Sequence, residues 1–457
     1  MKNGRILLAG LVALTVSAVS VAVAVGAKPG PSAKDLALID GVIRLVEQAY
    51  VHPVGSSDLT KDALKGMLNR LDPHSDYMDE QEFKETQSNI TGRFGGLGIE
   101  ISEQGGVPKV IAPIEDTPAM RAGLQPGDLI VTIDGQGTQG MGLSKVVRVL
   151  RGKPGTSVKV GILRGANEPF DVTIVRDTIQ VRTVKSKMLP NGIGYARITQ
   201  FGEETARDLK VALRNLKSEA GSNLKGMVLD LRNDPGGLLT AAVSVAGDFL
   251  KDGTVVTIKG RNSADNRVFK VPNGGTILPD TPMVVLINGA SASASEIVAG
   301  ALQDRKRATI MGTQSFGKGS VQTIIPLNGY GAVRLTTALY YTPGGRSIQG
   351  QGIAPDVVVE APKDQQIAGV VLPQESQLSG AFRNPGNLDK KEQEALKAAE
   401  GNRAKPSPPI KADLIATEND DQLKAAIAQL EKPDPRKADA GTPDAAKAKP
   451  ATETVAR

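Results

Sequence analysis

Residues 288–322 hold the side chains of this 457-residue chain best suited to covalent chemistry. A small-residue cluster, Ser291-Ala-Ser293-Ala-Ser295-Glu296, opens an apolar segment that ends at Asp304. Downstream, a lysine lies between glycines in Ser315-Phe-Gly317-Lys318-Gly319-Ser320-Val-Gln322. The chain has no cysteine and 2 histidines, His52 and His74, both upstream and each beside a proline. A serine nucleophile in this segment would therefore take a lysine as its base.

Ser293 is the serine placed for that task. It follows the apolar strand pattern of Met283-Val-Val-Leu-Ile287 and the turn Asn288-Gly-Ala, and it stands three residues before Glu296. That is the spacing of a capping box, so Ser293 is expected to cap a helix. A hydroxyl there also sits beside unpaired backbone N–H groups and the positive end of the helix dipole, which suits oxyanion chemistry. Lys318 has a competing reading, because Gly312-Thr-Gln-Ser-Phe-Gly317-Lys318-Gly319 nearly spells a phosphate loop. Gly319 stands where that loop needs a hydroxyl, and the β-branched Ser320-Val-Gln-Thr-Ile-Ile-Pro326 predicts a strand where it needs a helix.

Composition narrows the other classes. Aromatics are 3% of the residues, glycine is abundant at 51, and 55 basic against 49 acidic residues give +6 without a dense basic block. Nucleic-acid binding is not expected from this pattern. Without cysteine, and with the histidines unsuitably spaced, no metal site or cofactor is expected; His74, in the turn Leu71-Asp-Pro-His-Ser-Asp-Tyr77, reads as structural. Residues 1–27 join Lys2 and Arg5 to a long apolar run with small residues near its end. This fits a cleaved export signal or an uncleaved anchor, so membrane association through this segment stays open.

The elements that must position the site follow in order. Residues 33–91 read as a helical N-terminal region, with an apolar stripe through Leu36, Ile39, Val42, Ile43 and Val46. At residues 92–177, Gly95-Gly96-Leu97-Gly98-Ile99-Glu100-Ile101 runs into a strand. Thr117-Pro-Ala-Met-Arg-Ala-Gly123-Leu124-Gln-Pro-Gly127-Asp128-Leu-Ile-Val-Thr-Ile-Asp134-Gly135 follows. Together these resemble a PDZ domain. The resemblance implies a carboxylate-binding loop at Gly96, Leu97, Gly98 and Ile99, where successive N–H groups hold a peptide's free C-terminus and the strand edge extends onto it. Strands alternate with helices over residues 178–362, which argues an α/β sheet with its site at strand ends. Residues 363–430 show no clear core beyond one short amphipathic helix near 420–430. Residues 431–457 are rich in Pro, Ala, Lys and Asp and read as disordered.

The ordered motifs Ser291-Ala-Ser-Ala-Ser-Glu-Ile-Val-Ala-Gly-Ala-Leu-Gln-Asp304 and Ser315-Phe-Gly-Lys-Gly-Ser-Val-Gln322 resemble the carboxyl-terminal processing proteases, Ser-Lys peptidases of the tail-specific protease group. Asp230-Leu-Arg-Asn-Asp-Pro-Gly-Gly-Leu238, Tyr341-Thr-Pro-Gly-Gly-Arg-Ser-Ile-Gln-Gly350 and Gly352-Ile-Ala-Pro-Asp356 match the same family, over about residues 35–362. The resemblance implies a multidomain α/β (α+β) serine peptidase core with an inserted PDZ domain and a helical N-terminal region. Ser293 would attack the scissile carbonyl. Lys318 would take its proton, with burial lowering the lysine's pKa. Gln322 would orient the lysine, and Asp304, at a family position near the dyad, would help place it. The oxyanion hole would use the N–H of Ala294 and of Gly236 or Gly237, and the sequence does not choose between the glycines. Asp234 stands where the family often has asparagine. The implied activity is an exported endopeptidase, periplasmic and either soluble or anchored at the inner membrane, acting on protein or peptide substrates with free apolar C-termini. The rival is a non-catalytic PDZ scaffold. The amphipathic stretches at 34–50 and 420–430 leave room for an adaptor protein or homo-oligomer.

Overall fold

The computed structural model describes residues 30–165, 167–367, 372–382 and 408–432. The export or anchor segment and the tail beyond 432 lie outside the described residues. The chain divides into two compact units, Met1–Ala63 and Leu64–Arg457. In the first, Ala33–Ala49 is helical, and the Ser32 and Asp35 side chains close a reciprocal cap at its start. The helix exposes Leu36, Ile39, Val42 and Leu45. A second helix, Ser56–Asn69, crosses into the second unit. No helix among the described residues is long and apolar enough to cross a membrane.

The second unit is built on a six-stranded sheet. Its order is Val184–Leu189, Ile193–Ile198, Gly226–Asp230, Met283–Ile287, Thr309–Gly312 and Val357–Val358. The first pair is antiparallel and the remainder are parallel. Side chains alternate across a strand with period two. Met227, Leu229, Met283, Val285 and Ile287 accordingly face the helices Thr205–Ala220, Leu239–Gly247 and Ala294–Asp304. Val228, Val284 and Leu286 face Leu423 and Ala426 of the helix Asp421–Leu430. With both faces covered, the strands are continuous apolar runs, the pattern that marks them in the sequence.

A five-stranded antiparallel sheet joins Asp76–Met78, Ala332–Tyr341, Thr254–Gly260 and Arg267–Lys270, with Ser320–Pro326 also paired to Ala332–Tyr341. Asp76–Met78 therefore belongs to the core sheet although it precedes residues 92–177, so that segment is an insertion within the core. The inserted domain has its own six-stranded sheet and a core of Leu97, Val110, Ile130, Val146, Leu150 and Val160 among others. Its entry and exit strands, Arg93–Gly96 and Asp177–Gln180, pair antiparallel.

The described parts of residues 363–430 correct the expectation of a segment without a core. Ile410 and Ile415 form a small buried cluster with Ala361, which precedes the segment, and Gln365, Glu375, Asp420 and Gln422 are buried polar anchors. Polar anchoring leaves no hydrophobic period to read. The strongest anchor is Arg232, fully buried at the end of Gly226–Asp230. Its guanidinium donates to Asp420 Oδ1 at 2.8 Å and Oδ2 at 2.6 Å, and also to Asp230. Removing one partner of a buried pair strands the remaining charge, at a cost of about 3–5 kcal/mol. Asp420→Ala should destabilise the protein by that amount, read as a lowered urea midpoint; an unchanged midpoint would show that the C-terminal helix carries no such anchor.

Candidate active site

The parallel strands Gly226–Asp230 and Met283–Ile287 are neighbours, so their C-terminal ends open on the same edge of the sheet. That edge is where open α/β sheets place their sites. From one strand end comes the turn Asn233-Asp-Pro-Gly-Gly237, and from the other the turn that carries Ser293. They are laced together: Ala292 N–H and Ser295 Oγ donate to Asp234 O at 3.0 and 3.1 Å, and Ser291 Oγ donates to Leu231 O at 2.8 Å. The hydroxyls of Ser291 and Ser295 are thus committed to backbone carbonyls in fully buried positions.

Ser293 differs from both. Its backbone has φ 55° and ψ −109°, a conformation that L residues rarely adopt and that costs about 1–3 kcal/mol. It starts the helix Ala294–Asp304, as the spacing predicts, and its side chain lies against the phenol of buried Tyr340. Burial pushes that phenol's pKa up to about 12.

Gly236 packs so closely that a Cβ on it would lie 2.8 Å from Ala294 N and 2.9 Å from Ser293 Cβ. Its own N–H donates to Asp234 Oδ1 at 2.8 Å. Among the described residues, the N–H groups of Ala294 and Gly237 have no hydrogen-bond partner. Of the two glycines the sequence offers, Gly237 is the one whose N–H has no partner among the described residues. Asp234 is fully buried, and burial holds its carboxyl well above the ordinary range. Its Oδ1 takes the acceptor place that an asparagine oxygen would hold in the turn.

The loop carrying Lys318 reaches Ser293 through Glu296. This fully buried carboxylate accepts the Ser293 N–H at 2.7 Å and the Lys318 N–H at 2.9 Å. It also accepts the Gly317 N–H at 2.7 Å and Ser315 Oγ at 2.6 Å. The capping-box spacing singled out Glu296 as a local cap; the structure shows it joining two segments of the site. Burial pushes its pKa up to about 7 against the pull of those donors. The Lys318 pKa is lowered, first by burial and also by Arg334, while Glu375, Glu296 and Asp72 oppose the shift. Among the described residues, no hydrogen bond joins Ser293 Oγ to Lys318 Nζ.

The other expected site residues are placed as follows. Ser320–Pro326 is the expected strand. The Gln322 amide donates to Ser320 Oγ at 2.9 Å and Thr336 Oγ1 at 3.2 Å, not to Lys318. Asp304 is not brought beside Ser293. It ends the helix Ala294–Asp304, about 15 Å along the axis from the first residue at 1.5 Å per residue. Its carboxylate accepts the Gly344 N–H at 2.8 Å and pairs with Arg346.

In the inserted domain, Gly98 has φ +78°, and a Cβ there would meet the Thr117 side chain at 2.3 Å. Thr117 Oγ1 donates to Gly98 O at 3.0 Å and fixes the loop. Among the described residues, the N–H groups of Leu97 and Gly98 have no partner. Ile99–Gln104 is an edge strand, open to one more strand.

An α/β core interrupted by a small β domain with an open edge strand has the arrangement of a PDZ-bearing peptidase, and the family comparisons agree. Family profiles match peptidase family S41 over residues 192–359, the PDZ domain over 109–164, and the activating protease CtpB N-terminal domain over 17–82. The chain is 48% identical to a carboxy-terminal-processing protease of Bartonella bacilliformis, over 78% of this chain and 82% of that one. It is 36% identical to the carboxy-terminal processing protease CtpA of Bacillus subtilis, over 69% and 67% of the two chains. Among solved structures, it aligns with a photosystem II D1 C-terminal processing protease at 30% identity and TM-score 0.43, covering 72% of this chain and 94% of that one. The chain belongs to peptidase family S41, as a carboxy-terminal processing protease with a PDZ domain.

Proposed function

We propose that the protein is an exported serine endopeptidase that cuts protein substrates near their C-termini by a Ser293–Lys318 dyad. The observation that carries this reading is Glu296, whose one carboxylate holds the backbone of both residues. Neutral Lys318 accepts the Ser293 Oγ proton as Oγ attacks the scissile carbonyl. The tetrahedral oxyanion receives the N–H groups of Ala294 and Gly237. The lysine ammonium then protonates the leaving amine, and an acyl-enzyme remains on Ser293. Water, deprotonated by Lys318, resolves that ester. Gln322, its amide fixed by Ser320 and Thr336, keeps an orienting role in this reading, and Asp304 acts on the 344–346 turn instead.

The Gly96–Ile99 segment, with the open N–H groups of Leu97 and Gly98, captures the substrate's terminal carboxylate. Its protein substrates are the partners this reading requires; an adaptor or a second copy would act on the amphipathic helices. The purified protein should degrade an unfolded polypeptide with an apolar C-terminus. Amidating that terminus should raise KM about tenfold or more, since a charge-assisted contact is lost. Equal KM values for both forms would remove the carboxylate loop from the reading. No cleavage of either form by folded protein would favour the non-catalytic scaffold.

A further inference from the structure

The loop that carries Lys318 is braced from outside the matched peptidase segment. Glu375 begins a single turn of 3-10 helix in the C-terminal extension, and its N–H donates to Phe316 O at 3.1 Å. Its fully buried carboxylate accepts Gln349 Nε2 at 2.9 Å. Gln349 Oε1 in turn accepts the Gly319 N–H at 3.0 Å. One glutamate therefore fixes the chain on both sides of Lys318. The same carboxylate lies 2.8 Å from His74 Nε2, on the turn before the strand Asp76–Met78. Arg334 Nε donates to His74 O at 3.0 Å and completes that wall. A buried carboxylate kept in such company is costly unless each contact is used.

We propose that Glu375 is a positioning residue for Lys318: its backbone N–H and its carboxylate, through Gln349, fix the loop on both sides of the lysine. This rests on the reading of Lys318 as the base. The charged groups facing the lysine are Glu375, Glu296 and Asp72, which favour its ammonium form, and Arg334, which opposes it. The groups facing Glu375 are His74 and Gln349. Neutralising Glu375 removes one of the charges that hold the proton on Lys318. The lysine then becomes a free base at lower pH.

The test is the pH profile of kcat/KM for the full chain and for Glu375→Gln. The acid limb should move to lower pH by about half a unit or more. The plateau kcat should fall about tenfold because the loop is less fixed, with KM within about twofold. A limb and a plateau that both coincide with those of the unmodified protein would overturn the proposal, as would a loss of kcat with an unmoved limb. If Glu375→Gln does not fold, Gln349→Ala carries the test. It cuts the Gly319 link without changing charge, so kcat should fall with the limb in place, and an unchanged kcat would overturn the bracing role. Lys318→Ala in the same assay separates the two readings. Full activity there removes the dyad itself. An inactive Lys318→Ala beside an unaltered Glu375→Gln removes only the role of Glu375.

Discussion

Ser293→Ala should lower kcat/KM for an unfolded substrate by at least about 10^3-fold, and Lys318→Ala should fall to the same floor. The double variant should be no worse than either single one, because a nucleophile and its base act as one unit and their losses do not add. The strained backbone at Ser293 and the open N–H groups of Ala294 and Gly237 remain in both variants, so neither should lose its fold. Activity should rise with pH as Lys318 loses its proton. Because burial lowers the lysine's pKa, the midpoint of that rise should lie below the ordinary lysine value of 10.5. Substantial turnover by either single variant, measured by product release, would remove that residue from the mechanism.

The second large effect belongs to Glu296. A carboxylate can accept the N–H groups of Ser293, Gly317 and Lys318 and the Ser315 hydroxyl at once. A glutamine has one acceptor oxygen and turns an N–H2 toward the other donors. With no solvent to take their place, about two unpaired groups at about 1–3 kcal/mol each put the cost of Glu296→Gln near 2–6 kcal/mol. Misplacing both ends of the dyad should also lower kcat at least about 10^2-fold.

Glu296 also has a pH signature. Its folded pKa of about 7 lies above the ordinary value of 4.5, so the folded state holds the proton more tightly between those values. Its contribution to stability is therefore present at low pH and is lost as pH rises through about 7. Activity should move the other way, since the protonated acid brings a donor into a ring of donors. The stability of the unmodified protein should fall as pH rises from 4.5 to 7, measured by denaturant unfolding, and a flat profile over that window would place the titration elsewhere.

The strands were legible because burial on both faces makes Met227-Val-Leu-Asp230 and Met283-Val-Val-Leu-Ile287 continuous apolar runs. Ser293 was legible because a helix start has a local rule, the residue three positions on. Asp304 was not, because its distance from Ser293 follows from a straight 11-residue helix and from which turn its carboxylate meets. Glu375 was not, because the signal that betrays it is a set of hydrogen bonds to Phe316, Gln349 and His74, and such pairings have no period along the chain.

By itself the sequence determined the order of the domains, the peptidase and PDZ motifs, and the serine and lysine as candidates, since each rests on spacing within a few tens of residues. Only the tertiary structure shows which of the two glycine N–H groups is already taken, since Asp234 occupies that of Gly236. It also decided what holds the lysine loop, since Glu296 and Glu375 reach it from separate segments. Close approach of buried polar groups is set by packing, and packing joins residues that the chain keeps far apart.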